Sequence, residues 1–256
     1  MVWDHNIVIK SQAELAQMRE AGRLNARVLQ VVRAMIRPGI TTADLDAAAE
    51  EVIRKHGAQP IFKGYPGAYP YPGTLCISIN EELVHGIPGK RKLKEGDIVS
   101  VDCGTLLNGF VGDSAFSAGV GEISPQAQLL LEVTEKALYE GISQMRAGNR
   151  TGDISATIQK FVESHGMHVT REYTGHGVGR QMHEGPQVPN YGSFGRGVQL
   201  RPGMTIALEP MVLVGTPRTR VLPDQWTVVS ADGSLTAHFE HSVAITDAEP
   251  LILTLP

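Results

Sequence analysis

Four carboxylates and one imidazole lie at positions where a charged or coordinating side chain needs a partner. Asp102 ends the apolar run Ile98-Val99-Ser100-Val101, and Glu209 ends Ile206-Ala207-Leu208. A carboxylate entering at the end of a core strand is costly to bury alone, and a cation is the commonest way to keep several together. Asp113 belongs with Asp102. Asn108-Gly109 is the strongest short hairpin signal, and a two-residue loop there sets Leu107 against Phe110 and Asp102 against Ala115. Asp113 then becomes the same-face diagonal neighbour of Asp102, about 7–8 Å away at Cα, close enough for the carboxylates to straddle ions about 3.5–4 Å apart. The competing reading, two solvated aspartates on an exposed sheet face, is the ordinary state of charged strand residues. The apolar runs leading into Asp102 and Glu209 argue against it.

His176 sits among small residues in Tyr173-Thr174-Gly175-His176-Gly177-Val178-Gly179, where backbone can approach a ligand closely. Alone, such a histidine is turn chemistry. Beside four carboxylates it becomes a metal ligand. Glu240 completes the set in His238-Phe239-Glu240-His241-Ser242-Val243, and strand alternation puts His238 and Glu240 on one face. This hard, oxygen-rich group carries more negative charge than one divalent ion neutralises, so two ions are expected. Cobalt, manganese, iron(II) or zinc would each suit it. Between two such ions a bridging water ionises near neutral pH and can attack a carbonyl that the metals polarise. His85 and His183 share a His-x-x-Pro frame, as His85-Gly86-Ile87-Pro88 and His183-Glu184-Gly185-Pro186. Spacing leaves them open between core or surface histidines and groups that hydrogen-bond a peptide substrate and transfer protons.

The elements that must position these residues are legible in outline. Ser11 to Glu14 is a capping box, after which Leu15, Met18, Val28, Val32 and Met35 recur at helical spacing until Pro38-Gly39. A second helix starts at Thr42 and ends before Gly57. Ser124-Pro125 opens a third, and a fourth runs from Thr151 to Gly166. The second and fourth match: Arg37, Gly39, Thr42, Asp44, Ala47, His56 and Gly57 recur at constant offset as Arg146, Gly148, Thr151, Asp153, Ala156, His165 and Gly166. A second block repeats in the same order, with the segment from Leu93 to Asp102 reading against that from Leu200 to Glu209. Shared local grammar could produce one such match, but two in order imply an internal repeat, roughly 11–120 and 124–247. The expectation is an α+β fold in which helices cover one face of a mostly antiparallel sheet. No linker separates the halves, so residues 1–256 are expected to form a single catalytic domain.

Composition narrows the function classes. A formal net charge of -4 offers no footprint for DNA, and the one basic cluster, Lys90-Arg91-Lys92 with Lys94, is too short to be read as more than a solvated loop. Two cysteines, Cys76 and Cys103, build neither a disulfide framework nor a thiolate zinc site. Residues Met1 to Lys10, with Asp4 and His5, do not read as a secretory signal, and no stretch reaches the length of a membrane span. A cytoplasmic, soluble monomer is expected.

The quoted residues also carry a family resemblance over nearly the whole chain. Cys76-Ile77-Ser78-Ile79-Asn80-Glu81, Val84-His85-Gly86-Ile87-Pro88, Asp102-Cys103-Gly104 and Gly112-Asp113 in the first half resemble the motifs of type I methionine aminopeptidases. So do Gly175-His176-Gly177-Val178-Gly179, His183-Glu184, Leu208-Glu209-Pro210 and His238-Phe239-Glu240-His241 in the second. The resemblance implies the pita-bread (creatinase/aminopeptidase-like) fold with two pseudo-symmetric halves. It also implies removal of the initiator methionine from peptides and nascent chains when the second residue is small. Asp113 and Glu240 would bridge two ions, His176 and Glu209 would complete one, and Asp102 would bind the other. His85 and His183 would contact substrate, with Glu209 accepting the proton of the nucleophilic water and His85 assisting the leaving group.

For the methionine pocket the resemblance points to Tyr65, Tyr71, Cys76 and Trp226, a soft cleft suited to a thioether. The segment from Gly64 to Gly73 looks longer than the family's usual loop, which leaves open the tyrosine that lines the pocket, and Phe62 and Met182 stand where other side chains are expected. The amino end resembles the short bacterial form. Transient ribosome contact fits an enzyme of nascent chains, but docking through an amino-terminal extension is not implied. The alternatives are a proline-specific aminopeptidase or dipeptidase of the same fold, which usually carries a further amino-terminal domain, and a non-enzymatic peptide- or RNA-binding relative, which typically loses ligands.

Overall fold

The four helices form where capping chemistry asks for them. In α1 (Gln12–Met35) the Ser11 hydroxyl accepts the Glu14 N–H while the Glu14 carboxylate accepts the Ser11 N–H at 2.9 Å. Thr41 and Asp44 repeat that exchange at the start of α2 (Thr42–Lys55), and Ser124 caps α3 (Pro125–Ser143) with proline in its first turn. In α4 (Thr151–Ser164) only half of the exchange survives: the Asp153 carboxylate accepts the Arg150 N–H at 2.7 Å, because Arg150 has no short hydroxyl to return it. The computed structural model describes residues 7–256; residues 1–6, on which part of the argument against a secretory signal rests, lie outside the described residues.

The repeated blocks close in the same way. Gly39 and Gly148 take φ of +89° and +95°, and their N–H groups donate to Leu93 O and Leu200 O at 2.7 and 3.0 Å. Gly96 and Gly203 both sit at φ +87°, a left-handed turn open to glycine at no steric cost. Thr41 bridges Lys92 as Arg150 bridges Gln199. Each helix start is thus tied to the turn that feeds the following carboxylate-bearing strand.

The main sheet is antiparallel throughout and runs in the order Gln59–Pro60, Ile98–Leu107, Phe110–Gly119, Glu240–Ala244, Thr205–Leu208, Thr174–Gly177, Glu184–Pro189. Leu75–Ile79 pairs with Ile98–Leu107, and Leu251–Ile252 with Glu240–Ala244. The hairpin has the expected register, with Leu107 opposite Phe110 and Asp102 opposite Ala115, and Asn108 and Gly109 both take positive φ. Phe110–Gly119 lies directly beside Glu240–Ala244, so strands of the two repeats meet at mid-sheet.

Helix α1 packs on the hairpin. The approach is so close that a Cβ on Gly112 would lie 2.6 Å from Ala21 O, and the buried Asn25 side chain donates to Gly112 O at 2.9 Å. Two three-stranded sheets frame the other face, one of Thr236–His238, Met211–Leu213 and His168–Val169, the other of Thr219–Val221, Val228–Ser230 and Glu82–Val84. Among the described residues no helix is long and apolar enough to cross a membrane.

Candidate metal centre and its pocket

Register alone brings the acidic residues together. Cys76 lies opposite Asp102, Asp102 opposite Ala115, and Ala115 opposite Glu240, so these four share one face of the sheet in a single row. Asp113, two residues from Ala115, is the diagonal neighbour of both Asp102 and Glu240. Ala115 occupies the middle of the row with one methyl group, which leaves a hollow into which the three carboxylates converge. One oxygen from each of Asp102, Asp113 and Glu240 falls within 4.8 Å of the others. On the far side His176 and Ser242 both oppose Ala207, which brings the imidazole to the same face, and Glu209 follows directly after Thr205–Leu208.

His176 Nε2 stands 3.5 Å from Glu209 Oε1 and 3.8 Å from Asp113 Oδ2, while its Nδ1 lies 2.9 Å from Gly177 O. An Nδ1 proton given to that carbonyl leaves the Nε2 lone pair facing the carboxylates, the tautomer a metal ligand needs.

Burial without compensation governs the electrostatics. Asp113 and Glu240 are 1% and 3% exposed, and Asp102 Oδ1, Asp113 Oδ1 and Glu240 Oε1 are buried without a hydrogen-bond partner. Desolvation, eased by a hydrogen bond to Glu240, raises the Asp113 carboxyl to about 7. Asp102, Glu209 and Glu240 rise well above the usual carboxylate range, first through burial and then through mutual repulsion. Buried acceptors this close are stable only as shared protons or around a cation, and their oxygen-rich character with one or two imidazoles fits divalent ions. Burial has the opposite effect on the histidines, lowering His85 and His176 to about 4 and His183 to about 3, so all are neutral at pH 7.

A cavity of about 260 Å³ opens above the carboxylates. Phe62, Tyr65, Tyr71, Cys76, Met182 and Trp226 make its apolar wall. Both tyrosines therefore line it, whereas Tyr69 is exposed and turns its hydroxyl to Asp224 O at 2.9 Å. The two serve differently. Tyr71 donates to the backbone carbonyls of Leu75 and Gly86, so it braces the wall, and the Tyr65 hydroxyl meets His183 Nδ1 at 2.6 Å. Gly104, opposite Asp113, has no room for a side chain because Ile61 and Phe62 press on it. His85 holds φ +60° and stacks edge-on against Tyr173 and Trp226. His85 and His183, one from each repeat, thus face a common cavity.

Two features escape a reading by residue spacing. His238 and Glu240 do converge, 3.7 Å apart, but not along one strand: the chain breaks at Phe239 and passes from a small sheet into the main one. Glu184, beside His183, is buried and paired with Lys10 at 2.5 Å, and its other oxygen accepts the N–H groups of Arg180 and Gln181 at 2.8 and 3.2 Å. The motif around His183 showed the glutamate, but nothing in the sequence joins it to a lysine near the amino end.

Comparison with known proteins bears on this geometry. A model of metallopeptidase family M24 matches residues 16–247. The methionine aminopeptidase of Clostridium perfringens is 50% identical over 249 residues, covering 97% of this chain and 99% of its own. The crystal structure of methionine aminopeptidase from Thermotoga maritima matches with a TM-score of 0.95 at 47% identity, over 98% of this chain and 100% of that one. Prolidase from Pyrococcus furiosus has a TM-score of 0.78 at 20% identity, a likeness of fold, and this chain spans 66% of its length.

Proposed function

The chain belongs to metallopeptidase family M24, and we propose from that footing that it removes the amino-terminal methionine of peptides and nascent proteins. It has the family's pita-bread fold, and its hydrolysis depends on divalent metal. The observation that carries the substrate reading is the adjacency of unpartnered carboxylate oxygens to an apolar pocket walled by Cys76, Met182 and aromatic rings. A thioether side chain fills such a wall with polarisable contacts, which sets its backbone carbonyl beside the acids.

Two ions are proposed, with Asp113 and Glu240 shared between them, His176 and Glu209 completing one and Asp102 the other. When bound, divalent ions polarise a carbonyl and lower the pKa of water near pH 7. Burial and the neighbouring Asp113 and Asp102 hold the Glu209 carboxyl above the usual carboxylate range, and it takes the proton of the attacking water. His85 is neutral at pH 7, so it relays a proton to the departing amine rather than storing one. Tyr65 orients His183 through Nδ1, and His183 holds the substrate peptide. The cramped cavity supports a preference for small second residues. A single catalytic domain over 1–256 with repeats 11–120 and 124–247, a monomer, cytoplasmic location and transient contact with the ribosome complete the proposal.

The test incubates metal-reconstituted protein with Met-Ala-Ser and Ala-Pro-Ala, with and without chelator. Chelator-sensitive release of methionine from the first peptide is expected. Release of alanine from the second instead would make the enzyme proline-specific, and cleavage of neither would leave a binding protein.

A further inference from the structure

His238 is buried at 2% exposure, and its Nε2 has no hydrogen-bond partner. The proposed ligand set gives it no role. Its backbone is held firmly: the residue pairs with Met211, its N–H donates to Ser117 Oγ at 2.9 Å, and that hydroxyl donates back to His238 O at 2.8 Å. The ring is thereby delivered to a fixed place, with Nε2 3.7 Å from Glu240 Oε2 and 3.9 Å from Glu209 Oε2.

The oxygens concerned are informative. Glu209 turns Oε1 toward His176 and Oε2 toward His238. Glu240 likewise has Oε1 unpartnered and Oε2 near His238. A carboxylate that holds a cation through one oxygen still carries buried lone pairs on the other, and these need a donor. Among the described residues the His176 ring alone brings a nitrogen within hydrogen-bonding distance of either carboxylate, 3.5 Å from Glu209 Oε1, and it leaves the Oε2 atoms of both glutamates without a hydrogen-bonding nitrogen. His238 Nε2 stands beside both Oε2 atoms, about an ångström beyond a normal hydrogen bond.

We propose that His238 donates its Nε2–H to the outer oxygens of Glu209 and Glu240 and so orients both carboxylates for metal, a positioning residue rather than a ligand. The inference rests on the metal-centre reading given above. Groups that orient ligands in this way govern metal affinity as well as turnover, because they fix the carboxylates before the ion arrives.

Calorimetric titration of metal-free full-length protein with Co(II), together with the visible absorption of the bound ion, tests the role. His238→Leu, which removes the donor, should weaken Co(II) binding by about 10–100-fold, whereas His238→Gln, which keeps an N–H donor, should stay within about threefold of the unmodified chain. Thermal unfolding of the metal-free variants checks that they fold, and His238→Met is a second donor-free variant if leucine is not tolerated. Unchanged affinity in the donor-free variants would overturn the proposal. So would loss of one Co(II) per chain in His238→Gln, since Nε2 would then be a ligand. If the unmodified chain bound no Co(II), the metal-centre reading itself would fall, and this inference with it.

Discussion

At the scale of single residues, the decisive quantity is the proton held by buried carboxyls. Asp113 is raised to about 7 by desolvation, so in the metal-free protein it keeps its proton at pH 6 and loses it by pH 8. Protons therefore compete with metal below about pH 7, and above it the unfilled centre carries the uncompensated Asp113 charge. The expected outcome is that chelator lowers the melting temperature more at pH 8 than at pH 6. The depressed histidines outside the ligand set are neutral with or without metal and cancel from that difference. An equal shift at both pH values would contradict the shared-proton account. Asp113→Ala should abolish turnover of Met-Ala-Ser and metal retention together, because a shared ligand serves both ions. His183→Ala should lower turnover by about 10²-fold, the cost of a misplaced substrate, with metal content by atomic absorption unchanged. That Asp102, Asp113 and Glu209, three of the five proposed ligands, come together was legible in the sequence because apolar runs and a hairpin turn fix where they point. His238 could not be given a role, since its neighbours Glu209 and Glu240 reach it through a change of sheet.

Elements determine how far apart these residues stand. The hairpin register was legible because Asn108-Gly109 admits one tight turn, and it sets Ala115 between Asp102 and Glu240. Ala115→Leu should fill that hollow and weaken Co(II) binding by at least about tenfold on calorimetry, though the substitution is apolar and touches no proposed ligand chemistry. The turn that carries His183 is held by Glu184, which gathers two backbone N–H groups and Lys10. Lys10→Met leaves a buried carboxylate unpaired and should cost about 3–5 kcal/mol in urea unfolding. A smaller loss, near that of an exposed pair, would mean Glu184 is satisfied by the backbone alone. One capping box, the Ser124-Pro125 pair and the threonines Thr42 and Thr151 placed the helix starts to within a residue. The break at Phe239 has no such signal, because it is imposed by the two sheets the chain must join rather than by local preference.

For the whole molecule, the repeat is visible in sequence because the same glycine turns and helix caps are needed twice. Gly39 with Gly148 and Gly96 with Gly203 adopt matched conformations and partners. What the repeat does not predict is how the halves meet. The pairing of Phe110–Gly119 with Glu240–Ala244 puts Asp113 and Glu240 at the junction, and the long stretch of chain between them includes α3 and α4. An ion gripped by both would tie together two halves that the chain joins only through a long connection, and because it binds the folded arrangement alone it would stabilise that arrangement by its binding free energy. The enzyme's resistance to proteolysis should accordingly track its metal supply, so that starvation for the ion would shorten the protein's lifetime as well as silence it.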